Sequence, residues 1–422
     1  MSDDTRMKRR CSWLGLGLAT TLTAGCSCQP RQGPDETPGG STEADDVSGE
    51  VSSTDGAGTI DLPQRCPEKR IQERMLVQTD EELQALEGAT YIQSLLIFRP
   101  VSTLEPLRCL EELDEELATG YYQSFPSLEP LRNLRRVPYL QLQSTQVDDM
   151  TPLRGLEAVD KLDVQFPKVT SLHGLESMRS GWVLVRKTGA TDLRGLDNFR
   201  SGSLTLDTND SLTSFDGLVA LERLEYLGLI HNAGLTSLES LPSVSIDQFS
   251  FRHNDSLSSL AGLEHITSAN VIELAHNPKL TSLRGLHNVT ELWAVEGTPG
   301  YLHIEDNAIP NFDGLDSLRK VVGYIEIFND LDDSLTSLDG LQQLEHVEAN
   351  LSIVSNWQLT SLEPLRPDRG GSLMYVGYNL EIRANKSLPT CEAVALARAI
   401  RDAGGTVGGE FFEHNLLDEC SA

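Results

Sequence analysis

Three regularly spaced histidines are the first residues of this sequence whose type and position could support chemistry. His231, His253 and His276 are 22 and 23 residues apart, and an asparagine follows each of them. If each spacing is one layer of a repeating fold, stacked strands would hold the imidazoles about 5 Å apart. Such a column could bind a metal ion or titrate near neutral pH. The alternative is a solvent-facing repeat position that happens to be histidine.

A second group is acidic: Asp330, Asp332 and Asp333 carry carboxylates, which Ca²⁺ prefers, but no glycine-bearing calcium loop surrounds them. We therefore predict no metal site and no cofactor, and leave ion binding by these residues open. The sequence has no Gly-x-Ser-x-Gly elbow, His-Glu-x-x-His pair, phosphate loop or dinucleotide fingerprint. We predict that the protein is not an enzyme. An exported enzyme whose site assembles across repeats remains the remote alternative.

The net charge of −29 comes from 63 acidic and 34 basic residues. This excess repels DNA, RNA and anionic lipid headgroups, so we predict no nucleic-acid partner. The simpler role of the charge is to keep an exposed protein soluble.

The elements that must position the histidines are repeated. One unit spans Gly202–Leu218, where Leu204 and Leu206 alternate with polar residues as in a strand with one buried face. Asn209 then ends the strand, and its amide can pair with backbone groups that the turn leaves free. Apolar residues follow at three-residue spacing over 212–218, which favours a tight 3₁₀ segment.

Copies of this unit fill the chain, and the position of Phe215 recurs at intervals of 21 to 24 residues, with longer intervals of 29 and 26. The recurring positions are Leu104, Leu128, Met150, Leu172, Leu193, Phe215, Leu238, Leu260, Leu283, Phe312, Leu338 and Leu362. This period, with its Leu-x-Leu-x-x-Asn-x-x-Leu core, resembles leucine-rich repeats. We therefore predict a single right-handed leucine-rich-repeat solenoid, with a β-strand and a short 3₁₀ or irregular segment in each repeat.

The N-terminus has the pattern of an export signal. A basic stretch over 7–10 precedes an apolar stretch over 11–22, and Leu-Thr-Ala-Gly-Cys ending at Cys26 resembles the lipobox of bacterial lipoproteins. The resemblance implies that 1–25 is a signal peptide and that Cys26 is lipidated. Ser27 after it implies the outer membrane of a Gram-negative bacterium, so we predict a lipid-anchored cell-envelope protein whose only membrane contact is that lipid. The alternative is an ordinary secretory signal cut nearby.

Composition divides the rest of the chain. Residues 26–65 are rich in Gly, Ser, Pro and acidic residues, which predicts a disordered acidic tether. We assign 66–115 to an N-terminal cap and first repeat, 116–386 to the leucine-rich repeats, and 387–422 to a C-terminal cap with a helix at about 390–403.

Both caps carry helix signals. Thr79 and Glu82 form a capping box, which predicts a helix from Asp80 to about Glu87. A first strand is then expected around Leu95 and Ile97. At the other end, we expect the C-terminal helix to have Thr390 as its N-cap.

Of the seven cysteines, two bracket the start of the repeats and two bracket their end, and none forms a Cys-x-x-Cys zinc pattern. Exported repeat proteins must cover their open ends, which a disulfide-linked cap does. We expect Cys66 to pair with Cys109 and Cys391 with Cys420, although four cysteines allow three connectivities.

Two phrases in the repeats carry further resemblances. The Gly-x-Leu-x-Ile phrase at 300–304 and 323–327 resembles the receptor L-domain, and the Leu-x-Pro-Leu phrase at 104–107 resembles internalin-type bacterial surface proteins. With the lipobox, residues 66–420 resemble the leucine-rich-repeat lipoproteins of myxobacteria. The resemblance implies the fold but no particular ligand.

The outward side chains of the strands are the best candidates for function, since aromatic residues and arginine on an exposed sheet are typical of binding surfaces. Tyr301, Tyr324 and Phe328 lie beside the longer repeats, whose extra residues include 296–299 and 330–333. The alternative is that the aromatic rings only pack against their neighbours along the sheet. The candidate binding residues are Trp182, Tyr226, Arg252, Tyr301, His303, Tyr324, Glu326 and Phe328.

We therefore predict a non-enzymatic cell-envelope lipoprotein that binds a protein or glycan at the cell surface, in adhesion or recognition. The alternative is a structural envelope component that associates with copies of itself and has no small ligand.

Overall fold

The computed structural model describes residues 66–329 and 334–416 as a parallel β-solenoid. Its strands are β1 (Arg70–Val77), β2 (Tyr91–Ile97), β3 (Glu112–Leu113), β4 (Glu116–Thr119), β5 (Tyr139–Gln143), β6 (Lys161–Gln165), β7 (Ser180–Arg186), β8 (Ser201–Asp207), β9 (Arg223–Ile230), β10 (Ser245–Arg252), β11 (Ser268–Ala269), β12 (Val271–Ala275), β13 (Glu291–Leu292), β14 (Gly300–Glu305), β15 (Lys320–Val321), β16 (Gly323–Phe328), β17 (His346–Val347), β18 (Leu351–Val354), β19 (Tyr375–Arg383) and β20 (Thr406–Phe411). The helices are α1 (Asp80–Gln84) and α2 (Thr390–Asp402).

Each long strand pairs in parallel with the long strand of the next turn. In β8, Leu204 is level with Val183 of the turn before and with Leu227 of the turn after. The short strands β11, β13, β15 and β17 form a second parallel ladder beside the first. One turn has too few neighbours to bury its own apolar face, so stacking of turns creates the core.

That core is continuous along the solenoid. Leu204 and Leu206 of the strand are almost inaccessible to solvent, as are Leu212, Phe215 and Leu218 of the segment that returns to the next strand. The predicted leucine-rich-repeat solenoid is therefore confirmed. Repeats with Leu-x-Pro-Leu form 3₁₀ segments, at Glu105–Leu107, Glu129–Leu131, Thr151–Gly155 and Glu363–Leu365. Proline fits there because the first turn does not need its missing N–H.

A ladder of buried asparagines closes the turns where the strands end. The Nδ2 group of Asn254 donates to the carbonyl oxygen of Leu229 at 2.9 Å, and its Oδ1 accepts the backbone N–H of Asn232 at 3.0 Å. The backbone groups exposed by the change from strand to turn are thus paired inside the protein. The ladder includes Asn209, Asn232, Asn254, Asn277 and Asn307, and continues later with Asn356, Asn385 and Asn415.

The glycines at the start of several strands permit close approach of neighbouring turns. Gly202 has φ 131°, and a Cβ added there would lie 2.1 Å from the carbonyl oxygen of Gly181. Gly323 would meet the oxygen of Gly300 at 2.0 Å in the same way. The Gly-x-Leu-x-Ile phrase is therefore a packing requirement of stacked strands.

The N-terminal cap differs from the prediction in two ways. β1 precedes α1 and pairs with β2, so the strand containing Leu95 and Ile97 is the second and not the first. Charged residues interrupt β1, which hides its periodicity. The helix α1 also ends at Gln84, before the predicted Glu87. Thr79 caps α1 by accepting the N–H of Glu82 at 3.2 Å.

The Glu82 carboxylate reaches back past Thr79 and accepts the N–H of Gln78 at 2.6 Å. A disulfide joins Cys66 to Cys109 across this cap. The start of the solenoid is thus held by a cap, a strand and a covalent link.

The C-terminal cap also departs from the prediction. Helix α2 begins at Thr390, so Pro389 and not Thr390 occupies the N-cap position, and the Thr390 hydroxyl donates to the carbonyl oxygen of Leu416 at 3.2 Å. The chain then adds an unpredicted strand, β20, whose two glycines give it low strand propensity. Cys391 is disulfide-bonded, but Cys420 lies outside the described residues, so their pairing stays a prediction.

Among the residues that the structure describes, no helix is both long and apolar enough to cross a bilayer. The predicted signal peptide, Cys26 and the tether fall outside these residues, as do Asp330, Asp332 and Asp333.

We predict that Asn254→Ala lowers the free energy of unfolding by about 2–5 kcal/mol, because it leaves a buried carbonyl and a buried N–H unpaired. Urea denaturation followed by circular dichroism measures this. The matched control is Asn198→Ala, which removes an exposed asparagine that donates to the carbonyl oxygen of Glu176. Equal losses in the two variants would contradict a structural role for the ladder.

Candidate binding surface

The outward-facing side chains of β9, β10, β12, β14 and β16 form a surface that we call the outer face. Strand register sets its rows. Tyr301 is level with Tyr324, and His303 is level with Glu326. On the preceding turn, Glu273 is level with His303. Neighbouring residues in a row come from different turns, so residues far apart in sequence are adjacent in space.

Two tyrosines form the aromatic part of the outer face. The rings of Tyr301 and Tyr324 are stacked, with centroids 4.7 Å apart and planes inclined by 5°. Both side chains are partly exposed, as is that of Phe328, which is level with Glu305 two outward rows away. Burial raises the pKa of both tyrosines above the ordinary value. The rings therefore pack along the sheet, as the alternative interpretation held, and still present their exposed parts to solvent.

Charged groups pair across the strands next to the tyrosines. The two nitrogens of His303 lie 3.1 Å from the Glu326 carboxylate and 2.9 Å from that of Glu305. Burial opposes protonation of His303, but these two hydrogen bonds, together with the nearby charges of Glu273 and Glu305, outweigh it and raise the pKa of His303. The bond to His303 in turn lowers the pKa of Glu326.

A second charged pair lies one turn earlier. Arg252 forms an ion pair with Glu273, whose other oxygen accepts the Ser250 hydroxyl at 2.7 Å. Glu273 is itself buried, so these bonds fix its carboxylate in one orientation.

The three histidines stack at the edge of the same face. Their ring centroids are 4.6 Å and 4.5 Å apart in sequence order, and the planes are inclined by 6° and 11°. His231, His253 and His276 all have positive φ, between 54° and 55°. Burial, together with the two flanking imidazoles, lowers the pKa of the central His253.

An open groove of about 370 Å³ extends from His253 and His276 to the two tyrosines. The structure brings four predicted binding residues together along it with Tyr301: Arg252, His303, Tyr324 and Glu326. Phe328 lies beyond this group on β16. Tyr226 lies in the same row as Tyr301 but three turns earlier, with Gln248 and Val271 between them.

Trp182 lies apart from the groove, in the row that leads through Ser203 to Tyr226. Its indole contacts Lys161, whose ammonium nitrogen is 4.3 Å from the ring centroid and 4.7 Å from that of Tyr139. In the same region, Arg186 makes a bidentate ion pair with the buried Asp163, at 2.6–3.0 Å.

The sequence reasoning missed Glu305 and Asp306, which lie at the groove end near His276. The signal was available, because Asp306 precedes Asn307 just as His276 precedes Asn277. An extra loop at 296–299 lengthens that repeat. This loop folds as a tight hairpin turn, in which Val295 and Thr298 exchange backbone hydrogen bonds.

Comparisons with solved structures find proteins of the same general architecture at low similarity. An internalin of Listeria monocytogenes is 15% identical, with a TM-score of 0.42 over 81% of this chain and 84% of that chain. A leucine-rich-repeat protein of Leptospira interrogans is 16% identical, with a TM-score of 0.34 over 83% and 89%.

A structure of TLR13 in complex with ssRNA13 is 15% identical, with a TM-score of 0.28 over 82% of this chain and 64% of that chain. No family model matches the sequence, and no curated protein matches it. Similarity this low carries no argument about function, which must be argued from the outer face of the solenoid.

We predict that Arg186→Ala costs about 3–5 kcal/mol of stability, because it leaves the Asp163 carboxylate buried without its partner. Burial already raises the pKa of Asp163 despite the opposing effect of Arg186. The double variant Asp163→Asn/Arg186→Ala should therefore recover most of the loss in urea denaturation. A double variant as unstable as Arg186→Ala would contradict this explanation.

Proposed function

We propose that the protein is a non-enzymatic recognition protein that binds a protein or glycan partner through the outer face. The observation that carries the proposal is the open groove, in which a stacked tyrosine pair adjoins fixed carboxylates, imidazoles and one guanidinium. Tyrosine and arginine dominate the energy of many interfaces because they combine apolar area with hydrogen bonding.

The rigidity of the outer face supports this function. Each candidate side chain is on a strand held by both neighbouring turns, and Glu273 and His303 are further fixed by side-chain bonds. A partner would therefore bind with little ordering of the protein, which reduces the entropic cost of association.

The charge of the groove restricts the partner. Carboxylates of Glu273, Glu305 and Glu326 outnumber the single guanidinium of Arg252 along the lining. Such a surface suits cationic groups of a protein, or the hydroxyl groups of a glycan as hydrogen-bond donors. It disfavours the phosphates of a nucleic acid.

The N-terminal pattern gives the proposed location. Lipidation at Cys26 would attach the protein to the cell envelope, in the outer membrane of a Gram-negative bacterium, as the resemblance to myxobacterial lipoproteins implies. The acidic tether would then hold the solenoid away from anionic headgroups and leave the outer face free for a partner.

The proposal is tested with the purified protein on a glycan array and in pull-downs from envelope extracts. The triple variant Tyr301→Ala/Tyr324→Ala/Phe328→Ala should lose at least about tenfold in affinity for any partner found, since hot-spot truncations each cost more than about 1 kcal/mol.

The matched control is Tyr121→Ala/Val219→Ala, which removes exposed apolar side chains outside the outer face and should bind as the unmodified protein does. Binding that persists in the triple variant would contradict this choice of surface. Concentration-dependent oligomers in analytical ultracentrifugation, without any partner, would favour a self-associating structural component. Catalytic turnover of a captured ligand would favour the exported enzyme.

A further inference from the structure

One imidazole of the histidine column faces two carboxylates of the next turn. The Nδ1 atom of His276 is 3.4 Å from Oδ2 of Asp306, and its Nε2 atom is 3.6 Å from Oε1 of Glu305. One ligand atom from each of the three residues lies within 4.8 Å of the other two. The side chain of Asp306 is 4% exposed, while those of His276 and Glu305 are 28% and 27% exposed.

Stacking of the turns creates this cluster. The backbone N–H of His276 donates to the carbonyl oxygen of Glu305 at 2.9 Å, which places the end of β12 directly against the end of β14. His276 and Asp306 both have positive φ, 55° and 46°, so their side chains leave successive turns in the same way. The cluster therefore depends on the rigid repeat backbone and not on a loop.

The histidine column alone is poorly suited to a metal. A metal bound to an imidazole nitrogen lies in the plane of the ring, about 2.0–2.1 Å from the nitrogen. The rings of His253 and His276 are nearly parallel, with centroids 4.5 Å apart. An ion in the plane of one ring would thus lie well outside the plane of the other. Only one histidine of the column can bind a given ion, and other ligands must come from elsewhere.

We propose that His276, Glu305 and Asp306 bind a divalent transition-metal ion such as Zn²⁺. One imidazole and two carboxylates are ligands that such ions accept. In tetrahedral zinc sites, bonds of about 2.0–2.2 Å hold ligand atoms about 3.4 Å apart. The contact between Nδ1 of His276 and Asp306, at 3.4 Å, matches this separation. The 3.6 Å contact with Glu305 is made by the other ring nitrogen, so binding of one ion requires a side-chain shift that brings both carboxylates to the same nitrogen, from ligand atoms that already lie within 4.8 Å of one another.

The surroundings support the assignment. The second oxygen of Glu305 bonds to Nε2 of His303 at 2.9 Å, the kind of outer contact that orients a metal-binding carboxylate. Three protein ligands leave a coordination position open, and the cluster borders the groove. A donor group of a bound partner could take that position. The alternative is a charge cluster in which a protonated His276 only pairs with the two carboxylates.

Isothermal titration of the purified, tag-free protein with ZnCl₂ tests the proposal, after its free thiols have been alkylated so that cysteines do not compete. We expect saturable binding of one ion, at least about tenfold weaker in His276→Asn and in Glu305→Gln. Asparagine tolerates the positive φ of position 276. Co²⁺ in place of Zn²⁺ should give visible absorption bands that His276→Asn abolishes.

The matched control is His231→Asn, at the other end of the column, which has the same backbone conformation and also stacks on His253. It should bind Zn²⁺ as the unmodified protein does. Thermal melts check the fold of each variant. If His276→Asn does not fold, the Zn²⁺ affinity of Glu305→Gln tests the proposal instead.

Absence of saturable binding, or unchanged affinity in the folded variants, would overturn the proposal. Ca²⁺ binding as tight as that of Zn²⁺ and unaffected by His276→Asn would show an acidic patch only. The titration contains no binding partner, so a failure to bind Zn²⁺ would not contradict the proposed recognition function. That function is tested separately by the partner affinity of the Tyr301→Ala/Tyr324→Ala/Phe328→Ala variant.

Discussion

The hydrogen-bonded asparagine ladder is the interaction on which the rest of the structure depends. A turn of this solenoid must pass from strand to return segment inside the core, where water cannot pair with its backbone. Each asparagine of the ladder bonds to the strand of the previous turn, and most also bond to the next asparagine, as Asn232 does with Leu206 and Asn254. The ladder therefore fixes the register between turns as well as satisfying polar groups.

That fixed register determines the outer face. Because β12, β14 and β16 cannot slip against one another, Tyr301 is level with Tyr324, and Glu273, His303 and Glu326 form one row. The side chains then pair across turns and lose freedom before any partner arrives. The same constraint that builds the core thus preorganises the surface, and a slip of one residue would turn every outward side chain inward.

The residue just before each asparagine connects the ladder to the proposed chemistry. Positive φ directs this side chain away from the core, at the edge of the outer face. Histidine occupies it in three successive turns and aspartate in the next, so a column of stacked rings ends against a buried carboxylate. The change from His276 to Asp306 converts a repeated position into a site with mixed nitrogen and oxygen ligands.

The sequence by itself determined the repeat fold, since the spacing of Leu204, Leu206 and Asn209 recurs with one period and requires stacked neighbours. It also indicated the outward residues, because alternation assigns faces within a strand. It did not reveal β1 or β20, whose charged residues and glycines obscure the alternation, nor that Pro389 is the N-cap residue of α2. Only the tertiary structure decided which outward residues meet. His276 and Glu305 come together because the register pairs turns across an insertion, and the pattern within one repeat does not specify how its side chains meet those of the next.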